Sequence, residues 1–263
     1  MIQYSSERWL TFLYGLIMVC GTVCSGACAV AWNHWKFVLD TCTIDVTCGC
    51  ILNARSTHRY FTGGHVSYCH WAVYGLLPSV AVALVFFMYH GYRVCINSKG
   101  KPPKSYEETV ITSRSREHIS MVTRVKDTAS PHNAPNDDEA IHLCWPPAAA
   151  ICALVFLVCL VHASMLTDGY YKSCYEYRTE LGKILRASGN QVAVIQSRLA
   201  CTSIFDFMDY LQPDVRDRHR GDFINTAAAL QSALVSSWVG VFAWFLAFLL
   251  NVGQARRSRL LRE

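Results

Sequence analysis

Residues 226–252 read TAAALQSALVSSWVGVFAWFLAFLLNV, without one charged side chain, and lead directly into Gln254-Ala255-Arg256-Arg257-Ser258-Arg259. As a helix rising about 1.5 Å per residue this stretch is about 40 Å long, enough to cross a hydrocarbon core about 30 Å thick with room for tilt. It is predicted to span a membrane. Arg256, Arg257, Arg259 and Arg262 crowd its C-terminal edge, and the positive-inside tendency puts that edge in the cytosol.

The other apolar residues are distributed in the same way. A chain of 263 residues that is 52% hydrophobic could be one soluble domain, but its apolar residues would then be spread over many short periodic elements. Here they pool into four runs. Residues 9–32, 71–94 and 145–167 are the other three predicted spans, and each begins at a Trp, whose amphipathic ring suits the headgroup level. Four crossings return the chain to its starting side. Residues 1–8, 95–144 and the basic tail 253–263 are therefore expected in the cytosol, with loops 33–70 and 168–225 outside. The first run is over 20 residues long and lacks a clear small-residue cleavage site, so it reads as a signal anchor and not as a cleaved peptide. The expected class is an all-α membrane protein, a four-transmembrane-helix bundle with a small disulfide-stapled extracellular α+β cap. The formal charge of +5 is divided between two compartments and argues for no nucleic-acid partner.

The 13 cysteines follow the same division. Cys42, Cys48, Cys50 and Cys69 fall in the first outside loop, and Cys174 and Cys201 in the second. Even numbers on segments facing an oxidising compartment are expected to pair. The four in the first loop allow three connectivities, which spacing does not rank. His58, His65 and His70 lie in that loop too, and Cys with His could bind zinc. Cys48-Gly49-Cys50 has one intervening residue where structural zinc sites use two or more, so two disulfides are the preferred reading. The β-branched run 43–47, with Tyr60, Phe61 and Val66 following across Gly63-Gly64, suggests a short β-ribbon stapled by cystine. In the second loop Cys174 and Cys201 bracket a pair of helical patterns broken at Ser188-Gly189-Asn190. A cystine there would close a loop of about 28 residues and stabilise it by about 3 kcal/mol. The following stretch 204–211, IFDFMDYL, would dock on a partner or pack over the first loop.

Within the spans, Cys20, Cys24 and Cys28 stand at i, i+4 and i+8, interleaved with Gly21, Ser25 and Ala29. A metal relay through the thiols is one reading. The preferred one is a small-residue seam, because close packing is the main force joining helices in lipid. Ser232, Ser236 and Gly240, continued by Ala243 and Ala247, form a matching ladder in the last span, so the two ladders are expected to pack together. Pro78 is expected to kink the second span, whereas Pro146-Pro147 would fit the first turn of the third. His162 and Gln231 are the polar groups in the membrane. An ionisable group there suggests function by default, but His162 stands within two turns of the outer boundary, and the preferred reading has its ring reaching water or a headgroup. Cys95 and Cys144 flank the cytosolic loop and are candidates for palmitoylation, with an unmodified interfacial thiol as the alternative. The loop itself is polar, rich in Ser, Thr and Pro, and expected to be disordered. Thr112, Ser113 and Ser115 stand among Arg114 and Arg116, a phosphorylation context.

No motif for catalysis, metal or cofactor binding is present: no G-x-S-x-G elbow, no H-E-x-x-H, no phosphate-cradling glycine loop and no paired carboxylates in the spans. The layout resembles the transmembrane protein 179 family. The residues that carry the resemblance are Cys50-Ile51-Leu52, Cys69 ahead of the second span, the exit from Cys95 to Lys99-Gly100, the Cys174 and Cys201 pair, and QSALVSSW from Gln231 to Trp238. Departures are the extra Cys42 and Cys48 and a longer cytosolic loop. The family has no settled biochemical activity, so the resemblance implies topology more than mechanism. The W-x-x-C signature of claudins and the Cys-Cys-Gly motif of tetraspanins are absent. An organised exterior on inert spans implies a non-enzymatic accessory or adhesion partner of another membrane protein or of itself, in a plasma or secretory-pathway membrane. The alternative is a self-assembled channel or small-solute pathway using His162, Gln231 and Asn225.

Overall fold

The structure, a computed structural model, describes residues 2–40, 48–57, 61–97, 137–211 and 224–260. In chain order the elements are α1 (Ile2–Trp35), β1 (Cys48–Ser56), β2 (Phe61–His65), α2 (Val66–Tyr74), α3 (Leu77–Asn97), α4 (Asp137–Ile184), α5 (Asn190–Ser197), α6 (Cys201–Leu211) and α7 (Thr226–Leu260). Four stretches are long and apolar enough to cross a membrane: Ser6–Trp35, Val66–Cys95, Trp145–Ile184 and Thr226–Arg257. Helix is the form that satisfies every backbone N–H and C=O within one segment, as lipid requires. The chain is a four-helix membrane bundle carrying a small α+β cap stapled by disulfides.

Three helix boundaries differ from those read in the sequence. The second span is broken outright: α2 closes with the Gly75 N–H on the Trp71 carbonyl at 2.9 Å, and α3 opens with Val80 N–H on Leu76 at 3.0 Å. Pro78 has no N–H to offer the Tyr74 carbonyl, and because it sits in the first turn of α3 the break costs little. The third span starts at Asp137, so Pro146 and Pro147 lie inside a helix and not in its first turn. At the other end α4 does not stop with the apolar run but continues to Ile184. Asp168, Lys172, Glu176 and Glu180 stand four apart, a charged stripe on an unbroken helix, and no Gly-Pro signal interrupts it before Arg186, which takes a positive φ of 49°.

The cap is built by both intervening segments together. β1 and β2 pair antiparallel, Cys50 opposite Gly64 and Ser56 opposite Phe61, with an irregular register between Cys50 and Arg55. Asn53 absorbs that irregularity at φ 58°, a conformation Asn tolerates better than most residues. The ribbon runs through residues 48–56, displaced from the predicted 43–47, which lie outside the described residues. Of the three connectivities left open, the structure selects one bond: Cys50–Cys69 ties the ribbon to α2, with Cα atoms 5.5 Å apart. Cys48 is also disulfide-bonded, and Cys42 lies outside the described residues. Cys174–Cys201 ties α4 to α6 at the same Cα distance.

β1 lies along the extended part of α4. The Ser173 hydroxyl donates to the Ile51 carbonyl at 2.7 Å and accepts from the Ala54 N–H at 3.0 Å. Glu176 accepts from the Ser56 N–H at 3.0 Å, and Lys183 donates to the Thr57 carbonyl at 2.8 Å. Phe61 meets Tyr177 edge to face, centroids 5.0 Å apart. Residues 204–211 belong to α6, which packs on α4 and α7 through buried Ile204, Phe205 and Met208.

Gly64 is the position that lets the bulged strand close. A Cβ there would stand 2.1 Å from the Leu52 carbonyl oxygen and 2.8 Å from that of Asn53, backbone atoms of β1 that cannot swing aside as a side chain could. Gly64→Ala is expected to destabilise the cap by about 1–3 kcal/mol, read as a lower melting temperature and reduced recovery of the Cys50–Cys69 peptide under non-reducing conditions.

Candidate functional site

The cysteine ladder of the first span meets the small-residue ladder of the last inside the bundle. α1 packs against α3 and α7, and α7 also packs against α4. Cys20, Cys24 and Cys28 are all buried, and the Cys24 thiol lies against Cys28, Ser236 and Ser237. A Cβ placed on Gly240 would stand 3.9 Å from the Cys20 Cβ. The two ladders therefore face each other, with one exception: Ser232 is exposed and bonds back to its own helix at Ala229 O, 2.9 Å. The interleaved glycines serve a different neighbour. Built Cβ atoms at Gly21 and Gly15 would approach Val80 of α3 to 2.5 Å and Phe87 to 3.3 Å, so α1 uses thiols toward α7 and glycines toward α3. Among the described residues no group of three His, Cys, Asp or Glu is placed to hold a metal.

Below and above that seam runs a succession of neutral polar contacts along the bundle interior. His162 does not turn to water or headgroups. It is fully buried, with Nε2 3.2 Å from the Ala72 carbonyl and Nδ1 3.4 Å from the Ser237 hydroxyl. The break after Tyr74 lets the chain approach this ring, and Gly75 leaves room for it: a Cβ there would meet the His162 ring at 3.1 Å. Next, Ser79 Oγ receives the Trp244 indole N–H at 2.9 Å and the Cys159 thiol at 3.4 Å. Further along, Asn251 Nδ2 donates to Tyr14 Oη at 3.1 Å and to its own helix at Ala247 O, 2.7 Å, with Tyr14 Oη also 3.4 Å from Cys152 Sγ. Each bond replaces one that lipid cannot supply.

Both ends of this interior are closed by stronger pairs. At the end bearing the tail, Arg93 and Glu7 form an ion pair at 2.8 Å. At the cap end, Trp35 Nε1 donates to Thr226 Oγ1 at 2.8 Å, and Thr226 donates both its hydroxyl and its N–H to Asp209. Asn225 caps α7 by accepting from the Ala228 N–H at 2.7 Å, and the Asp209 carboxylate lies at the same helix N-terminus, where negative charge is favoured. His162, Gln231 and Asn225 are thus not brought together. Gln231 is exposed beside Tyr170, Asn225 is a helix cap, and His162 is in the core. Of the palmitoylation candidates, Cys95 is a free, exposed thiol, and the Cys144 side chain lies outside the described residues. Of the loop predicted to be disordered, residues 98–136 with Thr112, Ser113 and Ser115 lie outside the described residues, whereas 137–144 form the start of α4.

The cap presents apolar side chains to its surroundings. α6 buries one face and exposes Phe207, Leu211 and above all Tyr210, 74% exposed. Tyr171 and Tyr175, four apart on α4, are exposed at 56% and 65%, and Leu185 and Val194 at about half. Comparison with family models, with curated proteins and with solved structures finds no match. What this chain can do is therefore argued from its own geometry.

The sequence did not point to Asn251, Ser79, Tyr14, Trp244 or the Glu7–Arg93 pair. Asn251 was legible as a strong hydrogen-bonder beside Val252 near the end of an apolar run, and Glu7 as an acid directly ahead of another. Which of them faces inward depends on helix pairing, which no single helix encodes.

Burial raises the Asp209 carboxyl above its ordinary value of 3.8, and Asp206 adds to the rise, while Thr226 and His34 act against it. With the folded value above the unfolded one, the protonated form contributes stability below about pH 4 that is lost as pH rises through the folded value. Wild type is expected to gain on Asp209→Asn in melting temperature as pH falls from about 7 to about 4; a constant gap between the two would contradict it.

Proposed function

We propose that this protein is a non-enzymatic accessory or adhesion partner of another membrane protein, engaging it through the disulfide-tied cap. On this reading the cap faces the cell exterior or an organelle lumen, and both termini and the loop containing residues 98–136 lie in the cytosol. The observation that carries the reading is a cap braced by two described cystines and cross-segment hydrogen bonds that still exposes Tyr175, Tyr210, Leu185 and Val194. Rigid tyrosine-rich surface suits recognition, because Tyr adds contact area at low entropic cost and is enriched at interfaces. Residues held rigidly before binding lose less freedom when they bind.

The interior supports the same reading. Its polar groups are neutral and mostly spent on one another, which is the behaviour of structural glue in lipid and not of a lined pathway. The likeness to the transmembrane protein 179 family belongs to this proposal, since Cys50, Cys69, Cys174 and Cys201, which carry it, form the two described bonds. Cys95, exposed beside the basic exit, is proposed as the acylated thiol.

Affinity purification of the tagged protein from native membranes should recover a membrane protein at fixed stoichiometry, and Tyr210→Ala with Tyr175→Ala should reduce its recovery about tenfold without altering the cystines. Recovery of the chain alone, repeatedly and under mild detergent, would contradict the proposal. Impermeant labelling of intact cells tests the orientation separately: it should spare the arginine-rich tail.

A further inference from the structure

α3 and α4 meet at few points, among them the Ser79–Cys159 bond at 3.4 Å and the His90–Trp145 ring contact with centroids 6.0 Å apart, and a fissure of two cavities opens between them. Toward the cap it is an open apolar groove of about 660 Å³ walled by Val82, Val155 and Val158 among others. Toward the tail end lies its second cavity, of about 220 Å³, lined by Val85, Phe86, Tyr89, Trp145 and Ala148, with His90, Arg93 and Asn251 as its polar residues. From Trp145 to Val158 the fissure follows about 20 Å of helix, at about 1.5 Å per residue.

The polar side of the cavity is unusual for lipid-facing protein. His90 is 3% exposed and Asn251 fully buried, yet neither His90 Nδ1 nor Asn251 Oδ1 has a hydrogen-bond partner. Asn251 has committed its amide hydrogens to Tyr14 and Ala247, so Oδ1 requires a donor. Unmet polar groups are costly in hydrocarbon, and these two belong to residues that line one small cavity. A single hydroxyl can donate to Asn251 and exchange a hydrogen bond with His90. A phosphate fits less well, because the nearby cation, Arg93, is already neutralised by Glu7 at 2.8 Å.

We propose that this cavity binds a sterol from the tail-side leaflet, its hydroxyl between His90 and Asn251 and its ring plate between α3 and α4. The depth agrees: the cavity lies where α3 reaches its basic exit, the level at which a sterol hydroxyl stands, and the ring system would then extend toward Val82 and Val155. Val85, Tyr89 and Arg93 fall in the order and spacing of a short pattern associated with sterol contact. Such patterns are common by chance, but here all three residues line the same cavity, at i, i+4 and i+8 on one face of α3.

The test uses the full-length protein in phosphatidylcholine nanodiscs with a diazirine-bearing cholesterol probe and peptide mapping of the adducts. Labelling should concentrate on residues 85–93 and 145–148 and be displaced by unlabelled cholesterol but not by cholesteryl methyl ether, which cannot donate. Asn251→Leu should lower site labelling about fivefold, as expected for one hydrogen bond. Because Asn251 also supports Tyr14, Ala148→Phe provides the second variant; it fills the cavity from its half-buried wall and should abolish site labelling while both cystines remain intact. Labelling spread over lipid-facing positions such as Val235 and Phe242, equal displacement by the ether, or undiminished labelling of Ala148→Phe would each overturn the proposal.

Discussion

Lipid offers apolar helices no hydrophobic reason to leave it, so this bundle depends on how closely α1 and α7 approach and on the neutral hydrogen bonds that the approach permits. Cys24 against Ser236 and Ser237, and Cys20 against Gly240, are contacts between small side chains. They bring backbones near enough for dispersion to act along the whole interface. α7 then holds α4 through His162, Trp244 and Asn251, each bonded across to a different helix or to a residue that is. α3 is held by α1 through the glycine face. On its other side it meets α4 at few points, the Ser79–Cys159 bond among them, and that is where the fissure opens.

The cap follows from the bundle. α4 leaves the membrane as an unbroken helix and supplies Ser173, Glu176 and Tyr177 as a rail for β1, while Cys174 fastens α6 to the same rail. Asp209 of α6 in turn meets Thr226, the first residue of α7, and Thr226 receives the Trp35 indole from the end of α1. The cap helix α6 and two spans, the first and the last, are thereby joined at one point.

Much of this was legible in the chain, and the reasons differ by feature. Long uncharged runs announce spans because composition alone decides partitioning into lipid, and the outside cysteines announced a stapled cap because redox compartment decides pairing. The seam was legible because Cys20, Cys24 and Cys28 share a helical face with the same spacing as Ser236 and Gly240. What failed was direction. A span that is apolar all round has no polar face to mark its outside, so the burial of His162 and Asn251 and the exposure of Ser232 could be decided only by which helices pair. The length of α4 was hidden for another reason: the change from apolar to charged residues at Asp168 looks like a helix end in composition, although the 3.6-residue period continues through it.

The contact between α1 and α7 has a direct chemical test, because the Gly240 Cβ position stands 3.9 Å from the Cys20 Cβ and cystines favour about 3.8 Å. Gly240→Cys, oxidised in native membranes and then cut by protease within residues 98–136, should yield two fragments joined until reductant is added, whereas wild type and Phe242→Cys should not gain that linkage. If Phe242→Cys links as readily as Gly240→Cys, or if neither links under conditions that leave Cys50–Cys69 and Cys174–Cys201 intact, then α1 and α7 do not pack in this register and the account of the bundle is wrong.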